Sequence, residues 1–337
     1  MEQASVTIAD VARLAGVSKV TVSKTLNNSG RISQETRERV LKAAKDLGYT
    51  VNYAARSLRG GRTNLLGMVV PELISPYFTD VARAAAEAAS RVGLDVGVFT
   101  TSRDQKREQE RIGMLQSGLA DGLLIVVPSD SASFLVSLEK SKIPVVLINH
   151  FGAKTHLPTV CADNYHGARA AVEHLLSLGH ERIGFVTGAK ESTQAQERLR
   201  AFKDTLGARG LLDPTLIAEG NFTQRRGFEA GQDLLNHALP PTAIFAASDA
   251  TAFGVIDAIK DRGLRIPDDI SVVGFDDVLA ASQIHPTLTT VSHPIEDMNS
   301  TAVRLICEML DGESHKDTLI EFPSSLVVRE STGPRKA

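Results

Sequence analysis

The chain has 337 residues, 42% of them hydrophobic, which is length for one small and one or two larger domains with enough apolar side chains to fill their cores. Two cysteines, Cys161 and Cys307, exclude a disulfide scaffold and read as reduced core residues, and no run of about 18 apolar residues reads as a membrane span. Residues 1–63 carry 11 Lys and Arg against 5 Asp and Glu, while the remainder carries 26 against 35. A basic head on an acidic body directs phosphate attraction to the N-terminal part and repels DNA elsewhere. The charged N-terminus lacks a secretory hydrophobic stretch, so a cytoplasmic protein is expected.

In chain order, Ile8, Val11, Ala12 and Ala15 fall at i, i+3, i+4 and i+7 and predict a short helix with one apolar face. Gly16 suits a tight turn, and Ser18 is a fitting N-cap for a second helix. On that helix Val22, Thr25 and Leu26 share one side, while Lys19, Val20, Ser23 and Lys24 share the other. A third helix starts at Ser33 and stops at Gly48, with Val40, Leu41, Ala44 and Leu47 as its buried stripe. Two short helices about a glycine turn, the second with an outward polar face at its N-terminal end, predict a helix-turn-helix that reads the major groove of DNA.

From Thr63 onward, short β-branched runs alternate with amphipathic stretches. Strands are predicted at 65–70, 96–99, 123–127, 145–148, 183–186, 216–219, 243–246 and 271–274, with a further one around Cys161. Helices are predicted from Phe78, Gln105 and Ser131, and at 166–178, 194–206, 224–235 and 250–260. This alternation in two successive sets implies two lobes, each a parallel sheet covered on both faces. Ligands of such sheets bind beyond the carboxyl ends of the strands. There the sequence turns polar or aromatic: Ser75-Pro76-Tyr77-Phe78, Asp163-Asn164, Gln194 to Arg198, Asn221-Phe222, Ser248-Asp249 and Phe275-Asp276-Asp277.

The segments Thr7-Ile8-Ala9-Asp10-Val11-Ala12, Gly16-Val17-Ser18, Thr21-Val22-Ser23, Leu47-Gly48-Tyr49 and Ala55-Arg56-Ser57-Leu58 resemble those of the lactose-repressor (LacI) family of transcriptional regulators, and the likeness extends through the whole chain. The resemblance implies DNA contacts from Thr7, Ser18, Lys19, Val20, Thr21, Ser23, Lys24 and Asn27. It also implies a hinge helix holding Asn52, Ala55, Arg56 and Leu58, which forms on operator DNA and levers Leu58 between base pairs of the minor groove. Its effector arginine and carboxylate fall on Arg198 and Asp276, and its stacking aromatics on Tyr77, Phe78 and Phe222. Asp163, Ser248 and Asp249 complete the candidate set, with Asp163 and Asp249 equally suited to cap helices.

The expected architecture is therefore a small all-α helix-turn-helix domain (1–51), a hinge (52–62), and an α/β periplasmic-binding-protein-like core of two parallel-sheet lobes. The resemblance implies that the chain crosses between lobes three times, giving 63–162 with 292–321 as one lobe and 163–291 with 322–333 as the other. The expected function is a dimeric regulator, a repressor of a near-palindromic operator, controlled by a small molecule between the lobes. Carboxylate, guanidinium and aromatic groups together favour a sugar. A purine-like corepressor or a protein partner is the alternative. No metal or cofactor site is expected, and after Arg329 there is no heptad seam for a tetramerising helix. No phosphate loop, His-Glu-x-x-His pair or Gly-x-Ser-x-Gly elbow is present, and Ser137-Leu138-Glu139-Lys140 reads as a helix surface, so an enzyme is not expected.

Overall fold

A computed structural model describes residues 6–26, 30–49, 62–128 and 131–336. The chain divides into two compact units, Met1–Gly61 and Arg62–Ala337. The expected DNA contacts of Asn27, Asn52, Ala55, Arg56 and Leu58 lie outside the described residues.

In the smaller unit, α1 (Ile8–Ala15), α2 (Lys19–Leu26) and α3 (Gln34–Asp46) enclose Val11, Ala12, Ala15, Val22, Val40, Ala43 and Ala44. Asp10 secures the start of α1 by accepting the Thr7 N–H at 3.0 Å and the Thr7 hydroxyl at 2.7 Å. Gly16 ends it at φ 64°, a left-handed conformation that a side chain would strain, and Val17 N–H then donates back to Ala12 O. Ser18 Oγ accepts the Thr21 N–H at 3.1 Å, and Ser33 Oγ accepts that of Thr36, so both predicted caps form. One expectation fails: Leu41 is 50% exposed and Ala43 takes its place in the core. At about 100° per residue, Val40, Ala43, Ala44 and Leu47 share a face that Leu41 leaves.

The larger unit opens with β1 (Leu65–Val70), α4 (Pro76–Arg91), β2 (Asp95–Thr100), α5 (Gln105–Met114), β3 (Gly122–Val126), α6 (Ala132–Glu139), β4 (Val145–Ile148) and β5 (Thr159–Ala162). A second series follows: α7 (Asn164–Ser177), β6 (Ile183–Val186), α8 (Thr193–Gly207), β7 (Ile217–Ala218), α9 (Gln224–Leu235), β8 (Ala243–Ala246), α10 (Asp249–Asp261), β9 (Ser271–Asp276) and β10 (Thr289–Ser292). The chain closes with α11 (Ile295–Leu310), β11 (Leu319–Phe322) and β12 (Ser325–Val327).

These strands form two six-stranded sheets, ordered β11-β5-β4-β3-β1-β2 and β12-β10-β9-β8-β6-β7. All neighbours pair in parallel except β12, which runs antiparallel to β10. The chain leaves the first sheet after β5, returns after β10 through α11 and β11, and leaves again to β12. Parallel strands buried on both sides need apolar runs rather than alternation, and β3, β4 and β8 are buried at every residue. In the first lobe α4 and α11 cover one face, with Phe78, Val81, Ala85, Met298, Ala302 and Ile306 against Leu66, Met68 and Leu124. Ile112, Leu115, Phe134 and Leu138 cover the other face. The expected strand 216–219 shortens to Ile217–Ala218, because Asp213 caps a 3-10 turn over Pro214–Leu216 by accepting the Thr215 N–H at 3.0 Å. Cys161 is buried in β5, whereas Cys307 on α11 is only half-buried; both are free thiols.

Candidate functional site

The carboxyl ends of the two sheets frame a cavity. Ser75, Tyr77, Phe78, Arg103, Val127 and Asn149 of the first lobe line it together with Ser192, Gln194, Arg198, Phe222, Ser248 and Asp276 of the second. Pro76 at the first turn of α4 starts a helix whose Tyr77 and Phe78 meet edge to face, ring centroids 5.3 Å apart. Asn149 follows β4, donates to the Tyr77 hydroxyl, and accepts the Ala162 N–H on Oδ1 at 3.1 Å. Across the cleft, Gln194 Nε2 donates to the Asn149 carbonyl and so joins the lobes.

Arg198 projects from the first turns of α8, 5% exposed. Its Nε donates to Asn164 Oδ1 at 2.8 Å, Nη1 donates to Ala247 O and to Asp276 Oδ1 at 3.4 Å, and Nη2 donates to His293 Nε2 at 3.2 Å. The guanidinium carbon lies 3.7 Å from the Phe275 ring centroid and 5.8 Å from that of Phe222. The Phe222 ring rests on Gly188, where a Cβ would sit 2.1 Å from it. Burial pushes the Asp276 carboxyl up to about 7 against the opposing pull of Arg198, and also raises the Tyr77 phenol. Burial first, and the Arg198 cation second, hold His293 well below the ordinary histidine range. Burial and the neighbouring Asp276 raise the Asp249 carboxyl well above the carboxylate range.

Five cavity-lining residues have left-handed backbones although none is glycine: Arg103 (φ 59°), Val127 (46°), Asn149 (54°), Phe222 (55°) and Asp276 (118°). Such conformations cost roughly 1–3 kcal/mol each and concentrate where side chains are aimed for function.

Six of the eight candidate effector residues thus line one cavity: Tyr77, Phe78, Arg198, Phe222, Ser248 and Asp276. Asp163 and Asp249 do not. Asp163 caps α7 by accepting the His166 N–H at 2.9 Å and borders a separate groove. Asp249 is fully buried, accepting the Val278 N–H at 2.9 Å and the Thr290 hydroxyl. Arg103, Val127 and Asn149 went unread, as did His293 behind Arg198. A polar residue directly after the predicted strand 145–148 was the available signal for Asn149.

In the smaller unit Lys19, Val20 and Lys24 are exposed and Ser23 is half-buried, whereas Val22 and Thr25 are buried. The Thr7 hydroxyl is held by Asp10, and those of Ser18 and Thr21 face each other at 2.9 Å. Among the described residues, one group brings three metal-ligand atoms within 4.8 Å of one another, Glu308, Glu313 and His315, at the end of α11 remote from His293. Arg304 already pairs with that Glu308 at 2.7 Å. The Ser137 hydroxyl donates to the Phe134 carbonyl of its own helix. No helix among the described residues is long and apolar enough to cross a membrane.

A helix-turn-helix unit joined to a two-lobed core with an interlobe cavity defines a ligand-responsive DNA-binding regulator. Residues 7–52 match the lacI family of bacterial regulatory proteins, and residues 172–332 match a periplasmic binding protein-like domain. The chain is 35% identical over 332 residues to the HTH-type transcriptional regulator DegA of Bacillus subtilis (strain 168), covering 97% of this chain and 98% of that one. A solved Lac repressor dimer bound to operator and the anti-inducer ONPF superposes with a TM-score of 0.85 at 30% identity, covering 98% of this chain and 100% of that one. The transcriptional regulator CelR in complex with cellobiose gives 0.73 at 31% identity, covering 97% and 99%. The chain belongs to the lacI family and is a DNA-binding transcriptional regulator.

Proposed function

We propose that this regulator is a cytoplasmic homodimeric repressor of a near-palindromic operator, and that a small sugar bound between its lobes changes its affinity for that DNA. The observation that carries the reading is the cavity itself. A buried guanidinium–carboxylate pair, serine, asparagine and glutamine side chains and three aromatic rings converge there from both lobes. Hydroxyl groups donate to carboxylates and accept from guanidinium, while an aromatic ring packs on the apolar face of a pyranose. The sugar complex of the related CelR and the operator complex of the related Lac repressor support the same reading.

Division of labour follows: residues 1–51 read DNA, 52–62 form the hinge, and residues 63–162 with 292–321 and 163–291 with 322–333 form the two lobes. Ligand seated on Arg198 and Asp276 favours one lobe orientation. Because the chain passes between sheets three times, that change reaches the first lobe and the two hinges of a dimer. The coupling required is modest, about 1–3 kcal/mol. Thermal-shift screening against neutral sugars, sugar phosphates and purines, followed by operator binding with each hit, tests the reading. A sugar that raises the transition temperature and alters operator affinity supports it, and a response to purines alone overturns it.

A further inference from the structure

We infer that Gly188 is a positioning residue of the interlobe cavity: lacking a side chain, it lets the Phe222 ring seat beyond the end of β6 as a fixed stacking floor, and so suits the cavity to a ligand with a flat ring face. The inference rests on the sugar reading above and sharpens it from polyhydroxyl compounds in general to closed sugar rings.

A Cβ built on Gly188 would lie 2.1, 2.3 and 2.6 Å from Phe222 Cζ, Cε1 and Cε2, and these are its three nearest neighbours. The far end of the ring therefore points at the glycine. Phe222 lines the cavity, whereas Gly188 is buried and does not. The Gly188 backbone is not left-handed, so it is the space and not the backbone that calls for glycine here. The chain carrying Phe222 is tied to that of Gly188 and has little room to retreat. Thr187 N–H donates to Ala218 O at 3.0 Å, and Gly220 N–H donates to Thr187 Oγ1 at 3.2 Å. The two backbones approach so closely that a Gly220 Cβ would sit 2.1 Å from Thr187 O. Carbon atoms in contact lie about 3.5–4.0 Å apart, so a methyl at 188 would drive the ring tip away by roughly 1–2 Å. A ring held in one plane can pack on the apolar face of a pyranose or furanose, and a displaced ring loses that match. An open-chain polyol presents no such fixed face.

The test is a double-mutant cycle read by calorimetry on the full chain with D-glucose, D-galactose, D-ribose and cellobiose, with hypoxanthine and guanine beside them. The variants are Gly188→Ala, Phe222→Leu, whose side chain stops short of Gly188, and the two together. For a sugar that the wild type binds, Gly188→Ala and Phe222→Leu are each expected to lower affinity by about fivefold or more. The double variant should bind no more weakly than Phe222→Leu, because the added methyl then meets no ring. Wild-type affinity in Gly188→Ala overturns the inference, as do losses that add in the double variant. D-Glucitol, galactitol and ribitol are the open-chain controls, and one of them bound by the wild type as tightly as its aldose overturns the choice of a closed ring. Thermal unfolding of the four chains runs the same cycle without a ligand and covers a Gly188→Ala chain that folds poorly. Phe222→Leu should remove the penalty of the added methyl, and a penalty that persists overturns the inference. Wild-type binding of the purines alone overturns the sugar reading, and the cycle is then read with the purine, itself a flat ring. Additive losses with a bound sugar overturn this inference alone, and a wild type that binds none of the probes overturns both.

Discussion

Arg198 Nη1 reaches Asp276 Oδ1 at 3.4 Å with both side chains buried, so the cleft is built on an ion pair that is itself part of the fold. Removing one partner of a buried pair leaves an uncompensated charge at a cost of about 3–5 kcal/mol, unless that group changes protonation. Arg198→Ala is therefore expected to destabilise the larger unit by less than about 3–5 kcal/mol, because the Asp276 carboxyl, already raised to about 7, then takes up a proton, and to abolish the effector response. Asp276→Asn should cost less, because the amide oxygen still accepts from Arg198. The double substitution should fall short of the sum of the singles. Denaturant unfolding of the four chains measures the cycle, and additivity would show that the two groups act independently.

Asp276 also gives the effector response a pH dependence. Its carboxyl sits at about 7 because burial outweighs the pull of Arg198. Ligand hydroxyls donate best to the ionised form, so effector affinity should fall as pH drops below about 7, at most tenfold per pH unit for one proton. The contribution to stability has the opposite sign. With the folded pKa raised above 3.8, the stabilisation from this group is complete below the unfolded value and is lost as pH rises through about 7. Calorimetry between pH 5.5 and 8.5 should show the affinity trend in the wild type and a flatter profile in Asp276→Asn; a flat wild-type profile would count against a carboxylate acceptor.

Much of this was legible because the physics is local. Buried parallel strands announce themselves as continuous apolar runs, hence 65–70, 145–148 and 243–246, and caps such as Ser18 and Ser33 precede their helices by rule. The three- and four-residue strands β10, β11 and β12 are too short for a period to register, and β11 alternates between exposed and half-buried residues. The cavity divides in the same way. Arg198 and Asp276 were available through family likeness, but the groups holding Arg198, Asn164 and His293, lie 34 and 95 residues from it in sequence. Left-handed backbones at Val127 and Arg103 leave no mark in residue type, since these side chains ordinarily avoid that region.

The smaller unit carries a correctable flaw. Thr25 is 3% exposed on α2 and its hydroxyl has no hydrogen-bond partner among the described residues. Thr25→Val keeps the shape and removes the unpaired group, so a stabilisation of about 1 kcal/mol is expected, or roughly 4–8 °C for a unit of this size. The readout is slower amide exchange in α2 of the full chain together with a raised first thermal transition. A destabilised variant would show that the hydroxyl finds a partner in solution.

The last prediction concerns the outward face of α2. Val20 is 63% exposed beside Lys19 at the N-terminal end of a helix whose Val22 and Thr25 are buried. An apolar side chain left in water at that place gains by meeting an apolar group on a partner. The thymine methyl is the one such group that the major groove presents, and it distinguishes A·T pairs by contact. Lys19 offers a point charge to a phosphate or to guanine. Val20→Ser is therefore expected to lower operator affinity by about 1–3 kcal/mol and to relax preference at one base pair per half-site. Non-specific affinity and effector affinity should not move. Lys19→Gln should weaken binding to all sequences and reduce the salt slope by about one ion per protomer if the lysine meets a phosphate, or shift the selected base if it meets guanine. Selection from a randomised operator library at two salt concentrations separates these outcomes. A consensus unchanged by Val20→Ser, with affinity intact, would place the reading face elsewhere than on this side of α2.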